Sequence, residues 1–266
     1  MLITGNNSEI MEIINKIKNK YKISNCQKTK YILGITIERI NQCYYISQQN
    51  IIENLLKHFH ITNIKKANTP CTGDNKLSNN SEPFDPTTYK SAIGSLIYIS
   101  KNTRPDIAFT THKAARYCEN PTVSDWKRIL NILKYLNSTK NFKIKYDGNG
   151  KIHAYTDTDF AGDLNDRKST SGYIILMGNS PICWNSRKQS TVATSTAEAE
   201  YVSTSECVKK VLWIRNILIE IFNYNKPIII YTDNNASKVR IENGQINTKL
   251  KHMEIKYYFN IPIKTI

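Results

Sequence analysis

After the turn residues Asp147-Gly-Asn-Gly150 the hydrophobic pattern of the chain changes period, and few folds accommodate the order that follows. Ile152 to Asp157 alternates like a strand. Gly172 to Met177 and Ile182 to Asn185, joined through Gly178-Asn179, predict a β-hairpin. Ser195-x-x-Glu198 is a capping box opening a long helix to about Phe222. Val208, Val211, Leu212, Leu218, Ile221 and Phe222 keep helical spacing along it. Pro227-Ile-Ile-Ile-Tyr-Thr-Asp233 is a short buried strand, and Asn234 opens another helical segment. Strand, hairpin, helix, strand, helix within roughly 115 residues is the order of a mixed α/β domain.

The preceding half has a different pattern. Ile10 to Tyr21 has the spacing of a basic helix. Tyr31 to Ile37 and Cys43 to Ser47 are strand-like, with Asn41-Gln42 at the turn between them. Gln49 to Phe59 returns to helical period. Ala67 to Thr88, with three prolines, is the clearest loop. Three helices follow, over Tyr89–Ser100, Asp106–Cys118 and Ser124–Leu136, the last capped by Ser124.

Lys and Arg outnumber Asp and Glu by 37 to 22, a net charge of +15. The excess sits in residues 1–150, with 22 basic and 11 acidic side chains. A basic half suits a polyanion partner, with Lys127, Arg128, Lys134, Lys143 and Lys145 as candidates for phosphate contact and Trp126 and Tyr135 as core. A coding bias towards Lys, Asn and Ile gives the same composition. No apolar run approaches the roughly 18 residues of a membrane span, and the N-terminus has no secretory signal pattern. An intracellular, cytoplasmic protein without a membrane partner is expected. The six cysteines form no C-x-x-C and no zinc spacing, which predicts reduced thiols.

Three carboxylates stand where an α/β sheet builds sites. Asp157 ends the first strand, Glu200 lies in the first turns of the long helix, and Asp233 closes the buried strand. Clustered carboxylates repel unless a cation neutralises them, and Mg²⁺ prefers such hard oxygen ligands. Each acid alone is equally a helix cap or a solvated side chain. Spacing does not show that they meet.

Longer motifs resolve the choice. Tyr155-Thr-Asp-Thr-Asp-Phe-Ala-Gly-Asp163, Asp166-Arg-Lys-Ser-Thr-Ser-Gly-Tyr173, Trp184-Asn-Ser-Arg-Lys-Gln189, Ser195-Thr-Ala-Glu-Ala-Glu-Tyr201, Leu212-Trp-Ile-Arg215, Tyr231-Thr-Asp-Asn234 and Lys251-His-Met-Glu254 resemble, in order and spacing, the ribonuclease H domain of copia-type LTR retrotransposon Pol polyproteins. Lys30-Tyr-Ile-Leu-Gly-Ile35, Tyr89-Lys-Ser-Ala-Ile-Gly-Ser-Leu-Ile-Tyr98, Thr103-Arg-Pro-Asp-Ile107 and Ile132-Leu-Lys-Tyr-Leu136 resemble the end of the reverse transcriptase region and its connection.

The resemblance implies a ribonuclease H-like mixed sheet flanked by helices, preceded by a mostly helical reverse transcriptase thumb/connection remnant. It divides the chain into a palm/thumb remnant over 1–66, a loop over 67–88, a helical connection over 89–146 and a C-terminally clipped ribonuclease H-like domain over 147–266. It implies Asp157, Glu200 and Asp233 as ligands of two Mg²⁺ ions, with Mn²⁺ as a substitute. Glu254 is the fourth acid of a D-E-D-D-type set, with Glu at that last place, and His252 is a proton-carrying candidate. The implied partners are an RNA–DNA hybrid and the remainder of a Pol polyprotein, and the implied reaction is hydrolysis of the RNA strand. The polymerase's paired aspartates are absent from the sequence, so DNA synthesis is not expected. A catalytically inactive nucleic-acid-binding relic is the alternative; a transposase-like nuclease fits the Ala197-Glu-Ala-Glu-Tyr201 context less well. Oligomeric state is not readable.

Overall fold

A computed structural model of the chain describes residues 3–23, 28–61, 66–71, 81–163, 165–224 and 226–233, and the backbone of 263–265. Helix α1 (Asn7–Lys20) leads into three short strands, β1 (Tyr31–Ile32), β2 (Ile35–Ile40) and β3 (Cys43–Ser47). The run from Tyr31, expected as one strand, folds back on itself. Leu33 and Gly34 both take positive φ, so Ile32 pairs with Ile35. Asn41 and Gln42 also have positive φ and turn β2 into β3, as a two-residue hairpin loop requires.

Helices α2 (Gln49–His58), α3 (Pro86–Asn102), α4 (Ala108–Ala115) and α5 (Val123–Ser138) build the first core. Ile52, Leu96, Ile129, Leu133 and Leu136 are buried at its centre. Each buried Ile or Leu contributes about 2 kcal/mol. Asp85 caps α3 by accepting from Thr87 and Thr88 N–H. The cap of α5 is Thr122, not Ser124: Thr122 and Asp125 close a reciprocal capping box. Ser124 has Lys127 three residues on, which carries no acceptor to return the bond. Asp106 does not start its helix directly; Pro105–Ile107 is a 3-10 turn, and Arg104 holds the Asp106 carboxylate at 2.7 Å. Of the candidate phosphate contacts, Arg128 pairs with Asp125 and Lys143 with Glu38. Strand β4 (Ile144–Tyr146), unforeseen, pairs with β3 and completes a sheet of order β1-β2-β3-β4.

The second unit is a five-stranded mixed sheet. Strands β5 (Ile152–Asp159), β6 (Thr170–Met177), β7 (Ser180–Lys188), β8 (Ile229–Thr232) and β9 (Ile263–Thr265) lie in the order β7-β6-β5-β8-β9. β5, β6 and β7 are antiparallel neighbours, whereas β8 runs parallel to β5 and β9 to β8. The long helix α6 (Thr196–Phe222) covers one face, burying Ala154, Ile175, Val208, Val211 and Ile230. Its capping box is half formed. Ser195 Oγ accepts from Glu198 N–H, but the Glu198 carboxylate turns to Thr194 N–H and Oγ1. The helical segment expected from Asn234 lies outside the described residues. Cys43, Cys118, Cys183 and Cys207 are free thiols. Among the described residues no helix is long and apolar enough to cross a membrane.

Polar contacts join the two units. Trp184 Nε1 donates to Ser100 O at 2.8 Å, Tyr146 Oη to Pro181 O at 2.9 Å and Ser180 Oγ to Lys145 O at 2.7 Å. Asp163, in the loop after β5, receives Arg116 from the end of α4 at 3.0 Å and Lys188 from β7 at 2.6 Å. Burial alone would raise the Asp163 carboxyl; the Lys188 and Asn165 hydrogen bonds and the charges of Lys188 and Arg116 outweigh it and hold it at about 2. A carboxyl held below its ordinary value of 3.8 stabilises the fold above that value and loses the effect as pH falls towards 2. Asp163→Asn is expected to cost about 2 kcal/mol at pH 7. In urea unfolding the gap between wild type and variant should close between about pH 4 and pH 2; a gap that persists at pH 2 contradicts the pairing.

Candidate metal centre

The register of two parallel strands brings the first pair of acids together. Tyr155 of β5 is level with Tyr231 of β8, and their rings stack at 5.1 Å between centroids. Two residues further along each strand lie Asp157 and Asp233. Side chains alternate between faces, so both carboxylates project from the face that carries the two tyrosines, and both are exposed. The opposite face of β5, through Ile152, Ala154 and Thr156, is buried against α6. The strand continues to Asp159, which shares the face of Asp157.

Glu200 arrives from α6. It is the fifth residue of the helix and 8% exposed. One carboxylate oxygen each from Asp157, Glu200 and Asp233 lies within 4.8 Å of the other two. Glu200 Oε2 is buried without a hydrogen-bond partner. Burial, followed by the negative charges of Asp233 and Asp157, pushes the Glu200 carboxyl up to about 7. Among the described residues no Lys or Arg is ion-paired to any of the three. Three converging carboxylates, one of them buried with an unpartnered oxygen, fit a small divalent cation.

A cleft of 510 Å³ opens beside the acids, between the sheet and α4. Asp157, Asp159 and Asp233 line it together with Phe109, Tyr155 and Trp184. Asp163 is not at this centre; it belongs to the junction with Arg116 and Lys188. His252 and Glu254 lie outside the described residues. The motif residue Gln189 had no role assigned from sequence. It is buried, and its Nε2 donates to Ala199 O and Ser171 Oγ at 2.9 Å. Its place in Trp184-Asn-Ser-Arg-Lys-Gln189, at the end of the hairpin, was the available signal.

No family model matches the chain. Over 97% of its length it is 32% identical to the retrovirus-related Pol polyprotein from transposon TNT 1-94 of Nicotiana tabacum, covering 20% of that protein. Over 97% of its length it is 33% identical to the retrovirus-related Pol polyprotein from transposon RE1 of Arabidopsis thaliana, covering 18% of it. The chain belongs to the Pol polyproteins of copia-type retrotransposons. It spans about a fifth of the length of these Pol relatives. Among solved structures, LC11 ribonuclease H1 in complex with an RNA/DNA hybrid shares 14% identity over 44% of this chain and 85% of that one, with a TM-score of 0.32. The second unit is a mixed sheet with the long helix α6 on one face, and the first is a mostly helical unit with a small antiparallel sheet.

Proposed function

We propose that this part of the Pol polyprotein hydrolyses the RNA strand of RNA–DNA hybrids, with Mg²⁺ held by Asp157, Glu200 and Asp233. The observation that supports this most is the convergence of those three carboxylates, from two parallel strands and one helix, within 4.8 Å. Two ions are proposed, with Mn²⁺ able to replace Mg²⁺. Bound there, a divalent cation supplies activation of water and neutralises charge on the phosphate.

The remaining work falls to the chain. Asp157 and Asp233 are fixed by strand register, so little ordering entropy is lost when they engage a ligand. Glu200 is held in a buried turn, which keeps its oxygens aimed at the same point. The exposed face carrying the two aspartates leaves room for a polymer backbone to approach. Attack of water forms one P–O bond as the bond to the ribose 3′-oxygen breaks. The products are a 3′-hydroxyl and a 5′-phosphate. Glu254 is proposed as a fourth acid and His252 as the group that moves a proton to or from the reacting oxygens. The proposed boundaries are 1–66, 67–88, 89–146 and 147–266. No two aspartates are adjacent in the sequence, and nucleotide polymerisation forms no part of this proposal.

The test is a hybrid with labelled RNA, incubated with Mg²⁺ and then with EDTA, beside a DNA duplex. The expected result is RNA cleavage that EDTA abolishes, with the DNA duplex uncut. Cleavage that persists in EDTA overturns the metal assignment. Salt-dependent binding without any cleavage in Mg²⁺ or Mn²⁺ marks an inactive nucleic-acid-binding relic.

A further inference from the structure

The acids come from different elements, and unneutralised carboxylates this close push those elements apart. Something other than the acids must set the distance between β5 and α6. Ser203 lies three residues beyond Glu200, on the same side of the helix, and is wholly buried. Its hydroxyl is 2.8 Å from the main-chain oxygen of Asp157, 2.9 Å from Thr156 Oγ1 and 3.4 Å from Gly172 O. With one proton to give, Ser203 donates to the nearest of the two carbonyls, that of Asp157. Thr156 then donates to Ser203 Oγ or to Gly172 O at 3.2 Å.

A second fastening acts one residue before Glu200. Ala199 O accepts from Gln189 Nε2 at 2.9 Å and from Thr158 Oγ1 at 3.3 Å. The first turns of α6 are therefore tied to β5 at the peptide of Asp157 itself. The neighbouring hydroxyls of Thr204 and Ser205 are also buried, yet both lack a hydrogen-bond partner. Burial of small hydroxyls is thus general on this stretch of α6, whereas the bond to β5 belongs to Ser203.

We propose that Ser203 is a positioning residue of the acidic centre: its hydroxyl ties the Asp157 carbonyl to the turn of α6 that bears Glu200, setting the spacing at which the two carboxylates share a divalent ion. This rests on the metal reading given above. Groups that orient metal ligands commonly change affinity 10- to 100-fold when removed.

The test is a Mn²⁺ titration of the full chain, followed by the electron paramagnetic resonance signal of free Mn²⁺, with urea unfolding of each variant in EDTA. Ser203→Ala should unfold cooperatively and bind Mn²⁺ about tenfold more weakly. Ser205→Ala, which removes an unbonded hydroxyl two residues away, should bind as wild type does. Asp157→Asn should lose binding altogether. If Ser203→Ala does not unfold cooperatively, Ser203→Cys, which keeps the shape and weakens the donor, is expected to show the same direction. Wild-type affinity in a folded Ser203 variant, with binding lost in Asp157→Asn, overturns the positioning role alone. An equal loss in Ser205→Ala also overturns it. Binding that survives Asp157→Asn, or a wild type that takes up no Mn²⁺, removes the metal reading and this role with it.

Discussion

If the proposed reaction is the chain's own, Asp157→Asn is expected to slow cleavage of the RNA–DNA hybrid by at least about a thousandfold, equivalent to about 4 kcal/mol of transition-state stabilisation. The substitution is nearly isosteric and sits at an exposed position of β5, so the fold has no reason to fail. Asp157 is level with Asp233 through the Tyr155–Tyr231 register. Replacing its carboxylate leaves two acids where three converge, and an amide is a poor ligand for a hard cation beside charged oxygens. Single-turnover rates at saturating hybrid, measured with a matched circular dichroism spectrum, provide the check. Activity unaffected by Asp157→Asn would falsify the assignment of the centre. Raising Mg²⁺ should restore little of the rate, because the substitution removes one of the converging carboxylate oxygens and not only a charge.

Glu200→Gln is expected to make the metal-free protein more stable, by about 2 kcal/mol at pH 8. The sign is opposite to that of most core substitutions. Glu200 is buried, its Oε2 has no donor, and two like charges lie within 4.8 Å. Its carboxyl is raised from an ordinary 4.5 to about 7. Between those values the folded state binds more protons than the unfolded state. Stability therefore falls as pH rises through that window, and the full penalty is present above pH 7. A neutral amide removes it and can donate to the neighbouring carboxylates. Thermal melting in EDTA at pH 8 should show the variant several degrees above wild type. Added Mg²⁺ should raise the wild-type midpoint, as any ligand of the native state does, and leave the variant where it was. A variant less stable than wild type in EDTA contradicts the crowding of charge at this point.

The parts of the site that follow from element ends were legible in the sequence. Asp233 follows a strand recognisable from apolar patterning and Asp157 lies two residues before the end of another, and parallel pairing puts them side by side. Glu200 follows a Ser cap by five residues, which fixed its place on α6. What escaped was set by long-range contact. β4 is three residues long and exists because β3 offers it an edge. The strand read from Tyr31 to Ile37 breaks because Leu33 adopts a left-handed conformation that Gly34 next to it supports. Ser124 has the residue type of a cap, but the return bond depends on Asp125 facing Thr122. Ser203 has no local signature at all, since its partner lies 46 residues away.

The union of the two units also bears on how the second unit can be handled. β7 is the outer strand of its sheet, and the neighbouring unit meets it through Ser100, Lys145, Tyr146 and α4. A truncated protein beginning after Asp147 would carry that strand with its flank stripped and Trp184 newly wetted. Such bare rims recruit other chains. The shorter protein would then self-associate before its chemistry could be assayed, which makes the whole chain the proper object for biochemistry.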